Sequence, residues 1–207
     1  MDIDNQKQEV KSENKFKKFL TFAWELFKIA LIAFVIVAPI RYFLFQPFIV
    51  KGESMTPNFQ DGNYLIVDEI SYRTSSPQRG DVIVFDSSFI PGYSGQRFIK
   101  RIIGLPGETV DIANGKVEII KDGKTTVLSE KYLPANLETY GYNGSNLSPL
   151  PEEIILKSNE YFVLGDNRTG SYDSRFWGVV QRKYIIGKVF LRILPITSLS
   201  EISRPAY

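Results

Sequence analysis

The sequence predicts a mainly β domain carried behind one apolar N-terminal helix. Three observations predict it. Residues 19–45 make up the one long apolar run, FLTFAWELFKIALIAFVIVAPIRYFLF. From Pro47 onward, short stretches rich in β-branched residues alternate with turn residues. Asn-Gly and Asp-Gly dipeptides, the strongest short-range hairpin signals, fall between such stretches. The 207 residues are 43% hydrophobic and 23% charged, a globular composition with room for one domain and an accessory segment.

Residues 1–18 are polar, with Lys11, Lys15, Lys17 and Lys18 near their end, and read as a mobile tail. Residues 19–45 read as a transmembrane anchor. Their uncharged centre, Ile29 to Ile40, has 12 residues, short of the roughly 20 that a full span needs. The interruptions are tolerable. Glu25 and Lys28 share a helix face, and Lys28 and Arg41 can snorkel to opposite interfaces. Pro39 kinks or ends the helix. A buried core helix and the apolar region of a cleaved signal peptide are the alternatives. The first would carry a polar face, which Ile29–Ile40 lacks. The second would be followed by an Ala-x-Ala site, and none follows. Four lysines before the run, against Arg41 and Lys51 after it, place the N-terminus in the cytoplasm and residues 46–207 outside it. The expectation is a single-pass protein of the cytoplasmic membrane, with the lipid bilayer as one partner.

Within 46–207, Tyr64–Val67, Asp81–Phe85, Glu160–Leu164 and Lys188–Ile193 read as strands. Residues 110–128 read as a meander turning at Asn114-Gly115 and Asp122-Gly123. Residues 134–151, rich in Pro, Gly, Asn and Ser, read as an irregular surface insertion.

The chain holds no histidine and no cysteine. A Ser-His-Asp triad, a thiol nucleophile and disulfides are therefore excluded. The commonest metal ligands are missing and no tight carboxylate cluster replaces them, so neither a metal nor another cofactor is expected. A net charge of +2, with no basic run interleaved with aromatics, argues against nucleic acid as a partner. If the chain is a hydrolase, a hydroxyl nucleophile needs another base, and a desolvated lysine can serve.

Four segments concentrate the candidates: VKGESMTPNFQDGNYLIVDE (50–69), RGDVIVF (79–85), FIKRIIGLPGETV (98–110) and LGDNRTGSYDSRFWG (164–178). In order and content they resemble the bacterial type I signal peptidases, membrane-anchored serine endopeptidases that remove signal peptides from exported preproteins. The resemblance implies a signal-peptidase-type β fold, shared with self-cleaving repressor peptidases. It places the nucleophile on Ser54, the general base on Lys100 and the glycine-rich turn after the base on Gly104–Gly107. It makes Ser171 a hydroxyl that hydrogen-bonds and orients the lysine, and Asp173 and Arg175 a structural ion pair. It places the substrate pocket on Val50, Met55, Phe59, Phe98 and Ile99, whose other reading is ordinary core. One oxyanion donor is the backbone N–H of Ser54. Some family members carry a serine two residues before the nucleophile as a second donor; here Gly52 stands there. Asp166 and Arg168 are given no chemical role.

The residues themselves support the same chemistry. A lysine has an unperturbed pKa near 10.4, so holding it neutral at pH 7 costs roughly 4–5 kcal/mol. Burial among Phe98, Ile99, Ile102 and Ile103 would supply the desolvation. The expected partners are signal peptides with small residues in an A-x-A pattern, acted on by a monomer. A self-cleaving Ser/Lys repressor would carry a DNA-binding helical domain in place of the anchor. A non-catalytic membrane-anchored binding domain would leave Ser54, Lys100 and Ser171 without a purpose. Ser12-Glu13-Asn14-Lys15, which matches S-x-x-K, and the sequons at Asn143 and Asn167 are read as chance.

Overall fold

The computed structural model describes residues 3–39, 45–141 and 153–207. The chain forms two compact units, Met1–Leu44 and Phe45–Tyr207.

The first unit is helix α1 (Ile3–Pro39). No Gly or Pro interrupts it before Pro39, where the missing N–H coincides with its end. Residues 3–18, read above as a tail, belong to this helix; their Lys, Glu and Gln are good helix formers that need no core. The stretch Lys17–Ile36 has 20 residues and a mean hydropathy of 2.0, long and apolar enough to cross a membrane, and none of it is buried by protein. Residues 40–44 of the expected anchor lie outside the described residues. Phe45, its last residue, opens a strand.

The second unit is built of antiparallel strands. They are β1 (Phe45–Ile49), β2 (Tyr64–Asp68), β3 (Val82–Asp86), β4 (Arg97–Gly104), β5 (Thr109–Ala113), β6 (Lys116–Lys121), β7 (Lys124–Val127), β8 (Glu153–Ile155), β9 (Glu160–Leu164), β10 (Val180–Gln181), β11 (Ile185–Leu194) and β12 (Ser200–Glu201). Short helices α2 (Ser71–Thr74) and α3 (Ser174–Trp177) lie between them. The larger sheet runs β1-β2-β11-β3-β4-β9-β10, with β12 added to β11; the smaller runs β7-β6-β5-β8. The mainly β class is the one the sequence predicts. The 109–127 meander turns where the dipeptides stand. Asn114 and Gly115 (φ 52° and 76°), then Asp122 and Gly123 (50° and 74°), carry the paired positive φ of the hairpin turn that matches strand twist.

Alternation along the central strands covers both faces of the large sheet. In β3, Ile83 and Phe85 join a cluster with Ile102, Tyr161 and Val163, while Val82 and Val84 join Val50, Met55, Phe59 and Leu65. In β9, Phe162 and Leu164 turn instead toward Ile103, Val110 and Leu156, the contact with the small sheet. The part of the 134–151 insertion that is described, 134–141, is less superficial than its composition suggests. Thr139 is buried, and its N–H donates to the Gly115 carbonyl at 2.8 Å. Residues 142–151 lie outside the described residues.

Gly104 marks the crossing between the two sheets. A Cβ there would sit 2.6 Å from Leu156 Cδ1 and 3.0 Å from Phe162 Cβ. Gly104→Ala should therefore lower stability by about 1–3 kcal/mol through overpacking. Thermal unfolding of the full chain in detergent checks it; an unchanged Tm would contradict the close approach.

Candidate active site

The turn after β1 carries Ser54. Its entry is pinned to the start of β2: Val50 N–H donates to Asn63 O and Gly62 N–H to Val50 O, each at 2.9 Å. Gly52 adopts φ +85°, open to glycine and strained for other residues, and its N–H donates to Asp61 Oδ1 at 2.7 Å. This backbone carries Ser54 to the flank of β4.

Lys100 lies in β4 with only 4% of its surface exposed. Its Nζ is 2.7 Å from Ser54 Oγ and donates to the Ile99 carbonyl at 3.0 Å. Burial pulls the amine's pKa down from its ordinary value to about 8, against the opposing pull of the Asp173 and Asp166 carboxylates. Both carboxylates have their own cations. Asp173 pairs bidentately with Arg175 at 2.8 and 2.9 Å, and Asp166 with Arg101 at 2.8 and 2.6 Å. Each member of the two pairs is buried.

These pairs are also struts. Asp173 Oδ2 accepts the Gly165 N–H at 2.9 Å and, through Oδ1, the Arg175 N–H that starts α3. Asp166 Oδ2 accepts Asn58 Nδ2 at 2.9 Å, and Arg101 packs 4.1 Å over the Tyr132 ring. Arg168 donates from Nε to the Gly165 carbonyl at 3.0 Å and pairs with Glu130 and Thr139. Sequence reasoning assigned Asp166 and Arg168 nothing and overlooked Arg101, Asn58, Glu130 and Tyr132. The links of these four to Asp166 and Arg168 span 36 to 108 residues, beyond any spacing rule; the one available signal was the density of charge in Gly165–Arg168.

Ser171 reaches the same place without making its expected bond. Its Oγ is buried and has no hydrogen-bond partner. The bond to Lys100 is not formed; the amine instead donates to a carbonyl of its own strand. Ser171 is nonetheless packed beside the Ser54 turn. A Cβ on Gly165 would overlap both Ser171 Oγ and the Ser54 carbonyl oxygen, so only glycine lets the two loops meet.

A cleft of about 310 Å³ opens over Ser54 and Lys100. Of the expected pocket residues, Val50, Phe98 and Ile99 line it, together with Phe48, Ile49, Leu65, Val84, Tyr93, Arg97 and Tyr172. Met55 and Phe59 do not. They are 0% and 1% exposed and lie in the core beside Val67, Val82 and Val189. A turn that exposes Ser54 puts the apolar residues following it beneath. Along this cleft β4 has a free edge: β9 pairs with Arg101–Gly104, while Arg97–Lys100 pair with β3 alone among the described residues.

The family described as signal peptidase, peptidase S26, matches residues 23–194. The chain is 38% identical to signal peptidase I of Leptolyngbya laminosa, over 83% of this chain and 79% of that protein. It is 35% identical to the probable signal peptidase I-1 of Synechocystis sp., over 86% and 88%. It is 32% identical to signal peptidase IB of Staphylococcus aureus, over 84% and 91%. A crystal structure of a signal peptidase I from Enterococcus faecalis, 34% identical, covers 55% of this chain and 97% of its own, with a TM-score of 0.40. With most of its length matched by the family and by these relatives, the chain belongs to the signal peptidase family, peptidase S26.

Proposed function

We propose that this protein is a type I signal peptidase that cuts preproteins after small residues, with Ser54 as nucleophile and Lys100 as general base. The observation that carries the reading is the 2.7 Å approach of Ser54 Oγ to the amine of Lys100, a residue only 4% exposed. In a chain without histidine or cysteine it is, among the described residues, a hydroxyl and an amine brought together at a cleft.

The steps follow from the contacts. An extended peptide lies along the free edge of β4, main chain to main chain, with small side chains facing the apolar cleft. Neutral Lys100 takes the Ser54 proton as Oγ attacks the scissile carbonyl. The new oxyanion is met by the Ser54 N–H. The lysine returns the proton to the leaving amine, and the C–N bond breaks to give an ester on Ser54. Water then attacks that ester, giving a proton to Lys100, which returns it to Ser54 Oγ as the acyl–Oγ bond breaks and the new carboxyl terminus leaves. The Ile99 carbonyl, a neutral acceptor, orients the amine without raising its pKa as a carboxylate would.

The exposed apolar stretch Lys17–Ile36 supports a single anchor. The lysines before it support a cytoplasmic N-terminus, a 46–207 domain outside, and cleavage at the bilayer surface where the apolar part of a signal peptide emerges. Among the described residues no DNA-binding domain accompanies the strands, and the Ser54–Lys100 geometry has no use in a pure binding module.

Five outcomes are expected. Ser54→Ala, which removes a small hydroxyl at the surface, should fold normally and lose preprotein cleavage in detergent; turnover above background in a well-folded preparation excludes Ser54 as nucleophile. For Lys100, kcat/KM should rise with pH around about 8, as the amine gives up its proton. Lys100→Arg, unable to become neutral, should lose several orders of magnitude, about what loss of a base and its nucleophile together costs. Stability should move the other way in Lys100→Met. The unfolded lysine keeps its proton to about 10.5 and the folded one to about 8. The unfolded state thus binds more protons between those values, and wild-type stability climbs with pH across that window. Lys100→Met should be more stable below pH 8, by at most about 3 kcal/mol, and lose that advantage toward pH 10.5. Equal Tm values at pH 7 would contradict a buried amine. Finally, protease added outside cells stripped of any outer barrier should digest the domain and spare residues 1–18; the reverse pattern inverts the orientation.

A further inference from the structure

Position 52, where a hydroxyl could help the oxyanion, holds a glycine and supplies no side-chain donor. The burden falls on the Ser54 N–H, and three hydrogen bonds bear on its direction. The Glu53 carbonyl accepts Thr56 N–H at 3.1 Å, Thr56 Oγ1 at 2.9 Å and Asn167 Nδ2 at 3.1 Å. That carbonyl shares a rigid plane with the Ser54 N–H. The Glu53–Ser54 bond is not among the cis peptides, so within the plane C=O and N–H point in opposite directions. Whatever grips the carbonyl therefore aims the N–H. The next carbonyl is gripped as well: Ser54 O accepts the Asn167 N–H at 3.1 Å. Among the described residues nothing accepts the Ser54 N–H itself, and Ser54 faces the cleft. Asn167 is in turn held in a turn, its Oδ1 accepting Gly170 N–H at 3.0 Å and Thr169 Oγ1 at 3.2 Å.

We infer that Thr56 and Asn167 are positioning residues that act through the Glu53 carbonyl to hold the Ser54 N–H on the developing oxyanion. The inference rests on Ser54 being the nucleophile. An arrangement of this kind acts on the transition state, where charge appears on the carbonyl oxygen, and leaves ground-state peptide binding alone. It also leaves the protonation of Lys100 alone, since neither residue touches that amine.

The test compares wild type, Thr56→Val, Thr56→Ser, Asn167→Ala and Ser54→Ala as full-length proteins in detergent. Two probes are used: a cleavable peptide with Ala at both recognition positions, and the corresponding peptide aldehyde. Ser54 Oγ adds to the aldehyde carbon, its proton passes to Lys100, and the former carbonyl oxygen becomes an oxyanion in the same site. Thr56→Val, which keeps shape and removes the hydroxyl, should lower kcat by about 10- to 100-fold, less than the loss of a whole donor. Aldehyde affinity should fall by a similar factor, with KM and the pH midpoint of kcat/KM unchanged. Thr56→Ser, which keeps the hydroxyl, should restore both. Asn167→Ala should follow Thr56→Val; if it fails to fold, the Thr56 pair decides. Unchanged kcat in Thr56→Val beside an inactive Ser54→Ala overturns this inference alone. So does a kcat loss with aldehyde affinity intact, or a shifted pH midpoint. An active Ser54→Ala overturns the nucleophile and this inference with it.

Discussion

Everything at this site turns on one amine kept dry, and so more easily deprotonated, within reach of one hydroxyl. Lys100 is buried in β4 2.7 Å from Ser54 Oγ, and burial, outweighing the nearby Asp173 and Asp166 carboxylates, brings its pKa down to about 8. Two carboxylates near enough to raise that value stand behind it. Left unpaired, Asp173 and Asp166 would hold the proton on the lysine and disable it as a base. The bidentate arginines oppose each carboxylate's charge locally. The ion pairs thus do electrostatic work for Lys100 without touching it.

The same pairs fix the geometry. Gly165 is held through its N–H by Asp173 and through its carbonyl by Arg168, and its bare Cα lets the Ser54 and Ser171 loops close against each other. Asn167, two residues on, reaches the Glu53 and Ser54 carbonyls. One short loop after β9 therefore braces the lysine's surroundings and the nucleophile's backbone together. Buried ion pairs are poor sources of net stability, because desolvation offsets their attraction. Their value here lies in direction: a fork of guanidinium and carboxylate holds two chain segments in one relative orientation.

How much of this the sequence displayed depended on the range of the interaction. Strands and hairpin turns were legible because alternation and Asn-Gly or Asp-Gly pairs act within a few residues. Ser54 and Lys100 stood out as candidates because the absence of His and Cys narrows the chemistry, and because their segments resemble a family. The Asp173–Arg175 pair was implied by the same resemblance, and the structure forms it. Arg101–Asp166 and Arg168–Glu130 were not, since only the folded sheet order brings them together. Met55 and Phe59 were misplaced for a related reason. Their types suit a pocket wall and a core equally, and which side of the Ser54 turn faces solvent is decided by packing against Val67 and Val189. The Ser171 bond was inferred by resemblance; in the structure the Ile99 carbonyl takes the amine's hydrogen bond.

The chain's missing residue types and its architecture are linked. An imidazole titrates near neutrality even in water, so a histidine base tolerates an exposed, loosely held site. An amine does not. To work as a base it must be surrounded by apolar side chains and kept from any unpaired carboxylate. Both demands are met here on β4, where Lys100 is buried although only β3 pairs with that stretch among the described residues. The nucleophile must then come to the base. That is the role of the glycine at position 52 with its positive φ, of the Asp61 and Asn63 bonds that pin the turn, and of Gly165, which leaves room for it. A Ser/Lys site therefore constrains more of its fold than a triad does, and its supporting residues extend from β1 to α3.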